Sequence, residues 1–215
     1  MKYSLNQKVS VMAMLAGVFG CANMSALQTA KTMPAGDGRV LVGGGYYASP
    51  SVNEGVGDVT GEEADLKFPY LEVGYRRGIV ENFELGAKAT LPGTIAVDGK
   101  YQLVNTGRFA LAGGLGAGYL SLSSGEGEEK TTTRIIDVTV PVYASFDLGE
   151  YVALYTSPKY LLRMTSGDTS GTGHLAGATG GVRLGNGTGV FVEGTYLRDL
   201  KADFNAVQVN GSFYF

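Results

Sequence analysis

Tryptophan is absent from the 215 residues, and cysteine and histidine occur once each. A single thiol cannot close an internal disulfide, and one His with one Cys cannot supply the usual ligand set of a metal site, so neither a metal nor a cofactor is expected. Charge of one sign is also scarce. Lys and Arg number 17 against 20 Asp and Glu, for a formal net charge of −3, and the basic residues are scattered, which removes the electrostatic footprint of a nucleic-acid binder. With 44% hydrophobic and 17% charged positions and no apolar run long enough to span, the chain is not a helical membrane protein. Glycine is the abundant residue: 34 copies, about twice the usual ~7%, stand beside 13 Tyr and 9 Phe without a collagen period or proline excess. Disorder does not explain that combination, so the glycines need a packing reason.

The first twenty residues place Lys2 and Lys8 before an apolar run from Val9 to Gly20, too short to span and patterned as a secretory signal. Cys21 follows Val18-Phe19-Gly20, which resembles a bacterial lipoprotein signal, although Phe19 stands where that pattern has a small residue. The resemblance implies lipid attachment at Cys21; an ordinary signal peptide with an incidental cysteine is the alternative. The chain thus divides into a signal peptide at 1–20, a small, polar periplasmic tether at 21–38, and a single domain at 39–215.

From Arg39 onward no helical apolar stripe occurs, whereas period-2 alternation recurs in segments of about ten residues. Ten strands are predicted, near 39–48, 66–77, 82–91, 94–104, 108–120, 134–146, 151–163, 174–184, 188–197 and 204–215. The fold expected is all-β, a closed antiparallel transmembrane barrel of about ten strands, with eight or twelve as alternatives. Short turns at 78–81, 105–107, 147–150 and 185–187 alternate with longer connections at 48–65, 121–133 and 164–173, as such barrels require, while the connections at 92–93 and 198–203 keep the parity but not the length. With that parity, Tyr75, Phe83, Tyr101, Phe109, Phe146 and Phe215 face outward at one rim, and Tyr46, Tyr119, Tyr160 and Tyr196 at the other. These are two aromatic girdles.

The alternate face carries Glu72, Arg76, Glu84, Lys88, Asp98, Lys100, Asp137, Lys159, Arg163, Arg183 and Glu193. Such charges are costly against lipid, by about 2–4 kcal/mol for Arg or Lys at mid-depth, so they belong in a lumen. Mixed signs favour an internally paired charge network; a narrow selective pore is the alternative. Ten strands enclose little free space, and Ala110, Ala112, Gly114, Gly116 and Gly118 on one inner face leave room for long side chains opposite. Gly113–Gly118 lacks the spacing of a nucleotide loop and has no helix after it.

The last strand alternates Val207, Val209, Gly211, Phe213 and Phe215 with polar residues and ends on an aromatic. It resembles the C-terminal strand of outer-membrane barrels, in which the aromatic pair, here Phe213 and Phe215, forms the assembly signal. In layout the mature chain resembles the small OmpA/OmpX-type barrels. That resemblance implies a bacterial outer-membrane location with both termini periplasmic, and as partners the barrel-assembly machinery, membrane lipids and lipopolysaccharide. It leaves the oligomeric state open.

Catalysis has one candidate, His174, which follows the loop residues Asp168 and Ser170. Lipid A deacylase barrels have a His followed shortly by Ser, but Leu175, Ala176 and Gly177 follow here, so no catalytic residue is assigned. The acidic stretches Glu62-Glu63-Ala64-Asp65 and Glu126-Gly127-Glu128-Glu129 read as solvated loops. The expectation is a non-enzymatic surface or envelope-structural barrel with a largely occluded lumen. A narrow channel for small solutes is its rival, and a lipid-modifying enzyme at the rim stands third.

Overall fold

The computed structural model of the chain describes residues 24–49, 66–91, 93–124, 131–167, 170–201 and 205–215. Ten strands run in chain order: β1 (Gly38–Ser49), β2 (Leu66–Val80), β3 (Phe83–Leu91), β4 (Thr94–Asn105), β5 (Phe109–Ser124), β6 (Thr131–Asp147), β7 (Val152–Gly167), β8 (Gly171–Asn186), β9 (Thr188–Asp199) and β10 (Asn205–Tyr214). Each strand pairs antiparallel with its sequence neighbours, and β1 closes on β10 with Leu41 opposite Tyr214 and Ala48 opposite Val207. Phe215 extends the seam by exchanging backbone hydrogen bonds with Val40. The result is a closed ten-strand barrel without a free edge.

Strand number and order match the alternation, and the expected bounds are right to within four residues. The largest extensions, of three or four residues, occur at the long-loop ends of β5, β6, β7 and β8 and at the short-turn end of β2. Irregularities fall near the short-turn end. The register shifts between Gly78 and Val80 and between Gln102 and Val104, where an extra residue turns two neighbouring apolar side chains outward.

The two faces of the wall differ in chemistry. Outward side chains are apolar and exposed, among them Leu71, Leu91, Ile95, Leu115 and Phe213, each more than half accessible. All ten aromatics assigned to the two rims lie on this outer face, and Arg77, Arg134 and Arg198 stand outward only toward strand ends. A belt of this kind around a closed barrel is far larger than the apolar patches water-soluble proteins tolerate. No helix among the described residues is long and apolar enough to cross a membrane.

Candidate functional site: the lumen and its N-terminal segment

All eleven charges assigned to the inner face lie there. They form two clusters and a set of groups turned toward the barrel axis. Arg76 on β2 is held by both Asp98 oxygens, at 2.9 and 2.7 Å, while its Nε donates to Glu84 Oε1 at 2.8 Å. Lys100 adds an ion pair to the same Glu84 oxygen at 3.0 Å. Across the barrel, Arg163 meets Asp137 through two hydrogen bonds of 2.9 and 3.0 Å between β7 and β6. Bidentate pairing matches the planar guanidinium fork to a carboxylate and satisfies both charges away from bulk water. Lys88 stands 3.9 Å from Glu72, and Arg183 stands 4.0 Å from Asp147.

Glycines on the inner face make these pairs possible. A Cβ on Gly86 would stand 2.5 Å from Arg76 Nη1, and one on Gly181 would stand 2.5 Å from the Tyr155 ring. The guanidinium and the phenol therefore lie over the backbones of neighbouring strands. The open inner face of β5 plays a related part: Gly116 and Gly118 border a small internal cavity of about 60 Å³, which extends to Lys159 and Gln28.

The remaining lumen is occupied by the chain itself. Residues 24–33 were expected to belong to a periplasmic tether; instead they run inside the barrel, and every residue from Met24 to Ala30 is buried. Small side chains explain both readings. Ser, Ala and Thr carry no apolar signal in a sequence window, yet they are what a lumen ten strands wide can admit. Ala26, Leu27 and Ala30 join Leu41, Ala110, Ala112, Tyr143, Tyr155, Phe191 and Tyr214 in one apolar cluster. The inner face is therefore not uniformly polar. Inside it, Phe191 stacks edge-on to Tyr155 at 5.8 Å and lies tilted against Tyr214 at 4.9 Å.

Wall side chains capture this segment mainly by its backbone. The Ala26 and Leu27 N–H groups donate to the two oxygens of Glu193, each at 2.7 Å. Leu27 adopts a positive φ of 45°, uncommon for a residue with a side chain, and that turn aims successive amides at one carboxylate. Tyr155 and Asn210 donate to Glu193 as well, each at 2.8 Å, so the carboxylate is satisfied by four donors. Three lysines take the carbonyls: Lys159 binds Met24 O at 2.5 Å, Lys88 binds Ser25 O at 2.7 Å, and Lys100 binds Thr29 O at 2.7 Å and Lys31 O at 3.0 Å. Further along, Ala30 N donates to Ser145, Thr32 N to Gln102 and Met33 N to Glu84.

At the short-turn mouth Lys31 pairs with Asp147 at 2.5 Å and also donates to Gly107 O. From there the chain turns outward. Gly36 N donates to Gly78 O, and Gly78 N to Asp37 O, so that residues 34–38 emerge exposed and lead into β1. Glu193, Lys159 and Lys88 were singled out as members of a charge network. They act on the segment, a role that alternation on one strand cannot reveal.

His174 lies outside this arrangement, on the outer face of β8, where its Nδ1 stands 2.5 Å from the Tyr160 hydroxyl. Ser170 is exposed, and Asp168 lies outside the described residues, as do Cys21, the signal segment at 1–20 and both acidic stretches. Phe213 and Phe215 face outward at the end of β10. Among the described residues no group of three or more His, Cys, Asp or Glu could hold a metal ion.

No protein-family model and no curated protein matches the chain. The chain is similar in fold to solved outer-membrane barrels. One is the translocator domain of autotransporter NalP from Neisseria meningitidis, with a TM-score of 0.48, 10% identity and 97% of both chains covered. Neisserial surface protein A gives 0.42 at 9% identity over 82% of this chain and 95% of that one. The outer-membrane protease OmpT from Escherichia coli gives 0.43 at 13% identity over 86% and 98%. At these scores the barrel assignment rests on the closed strand order of this chain itself.

Proposed function

We propose that the chain is an outer-membrane β-barrel whose lumen is closed by its own N-terminal segment, a non-conducting, non-enzymatic component of the bacterial envelope. The observation that carries this reading is the burial of residues 24–30 along the barrel axis, held from several sides of the wall. An apolar exterior, with outward Arg77, Arg134 and Arg198 only toward strand ends, supports the membrane placement, since a strand barrel leaves no backbone group unpaired in hydrocarbon. The segment fills the space through which a solute would pass. The cavity beside it, at about 60 Å³, has room for a few waters.

Chemistry at the rim has little support: His174 is turned to the outer face and engaged by Tyr160 rather than by a nucleophile. Purified full-length chain in planar bilayers is expected to insert without steady conductance. Reproducible single-channel steps from the unaltered chain would overturn the closed-lumen reading in favour of a narrow channel.

A further inference from the structure

The wall recognises the segment more by its peptide backbone than by its side chains. Carboxylates and neutral acceptors take the amides of Ala26, Leu27, Ala30, Thr32 and Met33. Lysines take the carbonyls of Met24, Ser25, Thr29 and Lys31. Hydrogen bonds through the segment's side chains join Ser25 to Glu72 and Lys88, Gln28 to Tyr143, and Lys31 to Asp147 and Gly107 O. Every polypeptide carries the groups of the first set, so the wall selects by shape and by where bulk is allowed.

We infer that the lumen is a peptide-binding site, of which residues 24–33 are the resident occupant and which takes a second peptide of the same shape when the resident leaves. The inference rests on the closed-lumen reading for the position of the segment. The class of ligand follows from the wall. Positions equivalent to Ala26 and Ala30 must be small, because both are packed into the apolar cluster, Ala30 with no exposed surface. The position of Leu27 takes an apolar side chain in a left-handed turn, and that of Lys31 takes a cation facing Asp147 at the mouth. A peptide rich in Ala, Ser and Thr with one basic residue toward the mouth satisfies these conditions.

Exchange also needs a route, and the exposed residues 34–38 at the mouth supply the place where the resident can be released from the barrel. The test uses the full chain, folded in detergent, with a protease recognition sequence inserted after Ala35. Cutting converts the segment into a non-covalent occupant. A fluorescent synthetic peptide of residues 22–34 is then added, and its retention by the barrel is read by anisotropy and gel filtration. The cut chain is expected to take up the peptide, and the uncut chain is not, because its site is filled. N-methylation at Ala26 and Leu27, which deletes both donors to Glu193, weakens uptake by about tenfold or more. Trp in place of Ala30 in the peptide abolishes uptake, and Ala in place of Gln28 changes affinity by no more than about threefold.

A cut chain that sheds its own segment yet binds no labelled peptide at about 100 μM overturns the inference, as does equal uptake of the N-methylated peptide. A silent uncut chain with that result defeats the peptide site alone. An uncut chain that conducts defeats the closed lumen instead.

Discussion

Glu193 on β9 binds the turn at Leu27: its two carboxylate oxygens receive the successive amides of Ala26 and Leu27, each at 2.7 Å, across 166 residues of sequence for Leu27. The contact joins the last third of the barrel to the segment that precedes its first strand. It also explains how a carboxylate with only 2% of its surface exposed is accommodated without a bidentate arginine. Four donors converge on it, so its lone pairs are filled by dipoles.

Glu193→Gln keeps the shape and reverses one acceptor. An amide NH₂ then faces a backbone N–H or the Tyr155 hydroxyl, and the loss of a charge-assisted bond costs about 1.5–3 kcal/mol. The barrel should stay folded while the segment loosens. Limited proteolysis from the mouth checks this: cleavage within residues 24–33 is expected to appear in the variant and be absent in the parent.

Ala30→Trp tests the fit of the segment rather than its polar anchors. The Ala30 site is fully enclosed between the wall and the segment, and even a modest excess of volume in a packed core costs about 1–3 kcal/mol. An indole cannot be housed there, so the segment should be displaced. In planar bilayers the variant is expected to show steady conductance where the parent shows none.

Arg163 and Asp137, joined by two hydrogen bonds between β7 and β6, allow a thermodynamic cycle on a buried ion pair. Arg163→Ala or Asp137→Ala alone leaves one buried charge uncompensated and should destabilise by about 3–5 kcal/mol. Replacing both by Leu should cost much less than the sum. Urea unfolding in lipid vesicles, followed by the heat-modifiable shift on gels, gives the comparison.

Leu115 faces outward midway along β5 and is 60% exposed to the surroundings of the isolated chain. Its replacement by Arg would be harmless on a barrel surrounded by water. At the middle of a bilayer it should cost about 2–4 kcal/mol. Unfolding free energies of parent and Leu115→Arg measured in vesicles separate the two environments.

The wall was legible in the sequence because lipid and lumen impose opposite demands on alternate residues. Ile136, Val138, Val140 and Val142 against Asp137 and Thr139 report that division directly, and the short turns fix its phase. The inner layer was less legible. Tyr143, Tyr155 and Phe191 point inward, where alternation alone anticipates polar groups, because they meet Ala26, Leu27 and Ala30 rather than water. The segment itself was misplaced as a tether for a physical reason: a strand advertises its partner by periodicity, whereas a backbone held by Lys88, Lys100, Lys159 and Glu193 has no side-chain pattern to show. One signal was present. Eleven inward charges comprise five acids and six bases, but the structure pairs only some of them with one another and turns Lys159 and Glu193 to the chain within.

Amide hydrogen exchange of residues 24–33, measured on the full-length chain in lipid bilayers, tests the central claim most directly. The Ala26, Leu27 and Ala30 amides are expected to exchange as slowly as those of the barrel strands, with Gly36 and Asp37 at the exposed mouth exchanging faster. Exchange of residues 24–33 at the rate of a free peptide would show that the segment lies outside the lumen and would contradict the account.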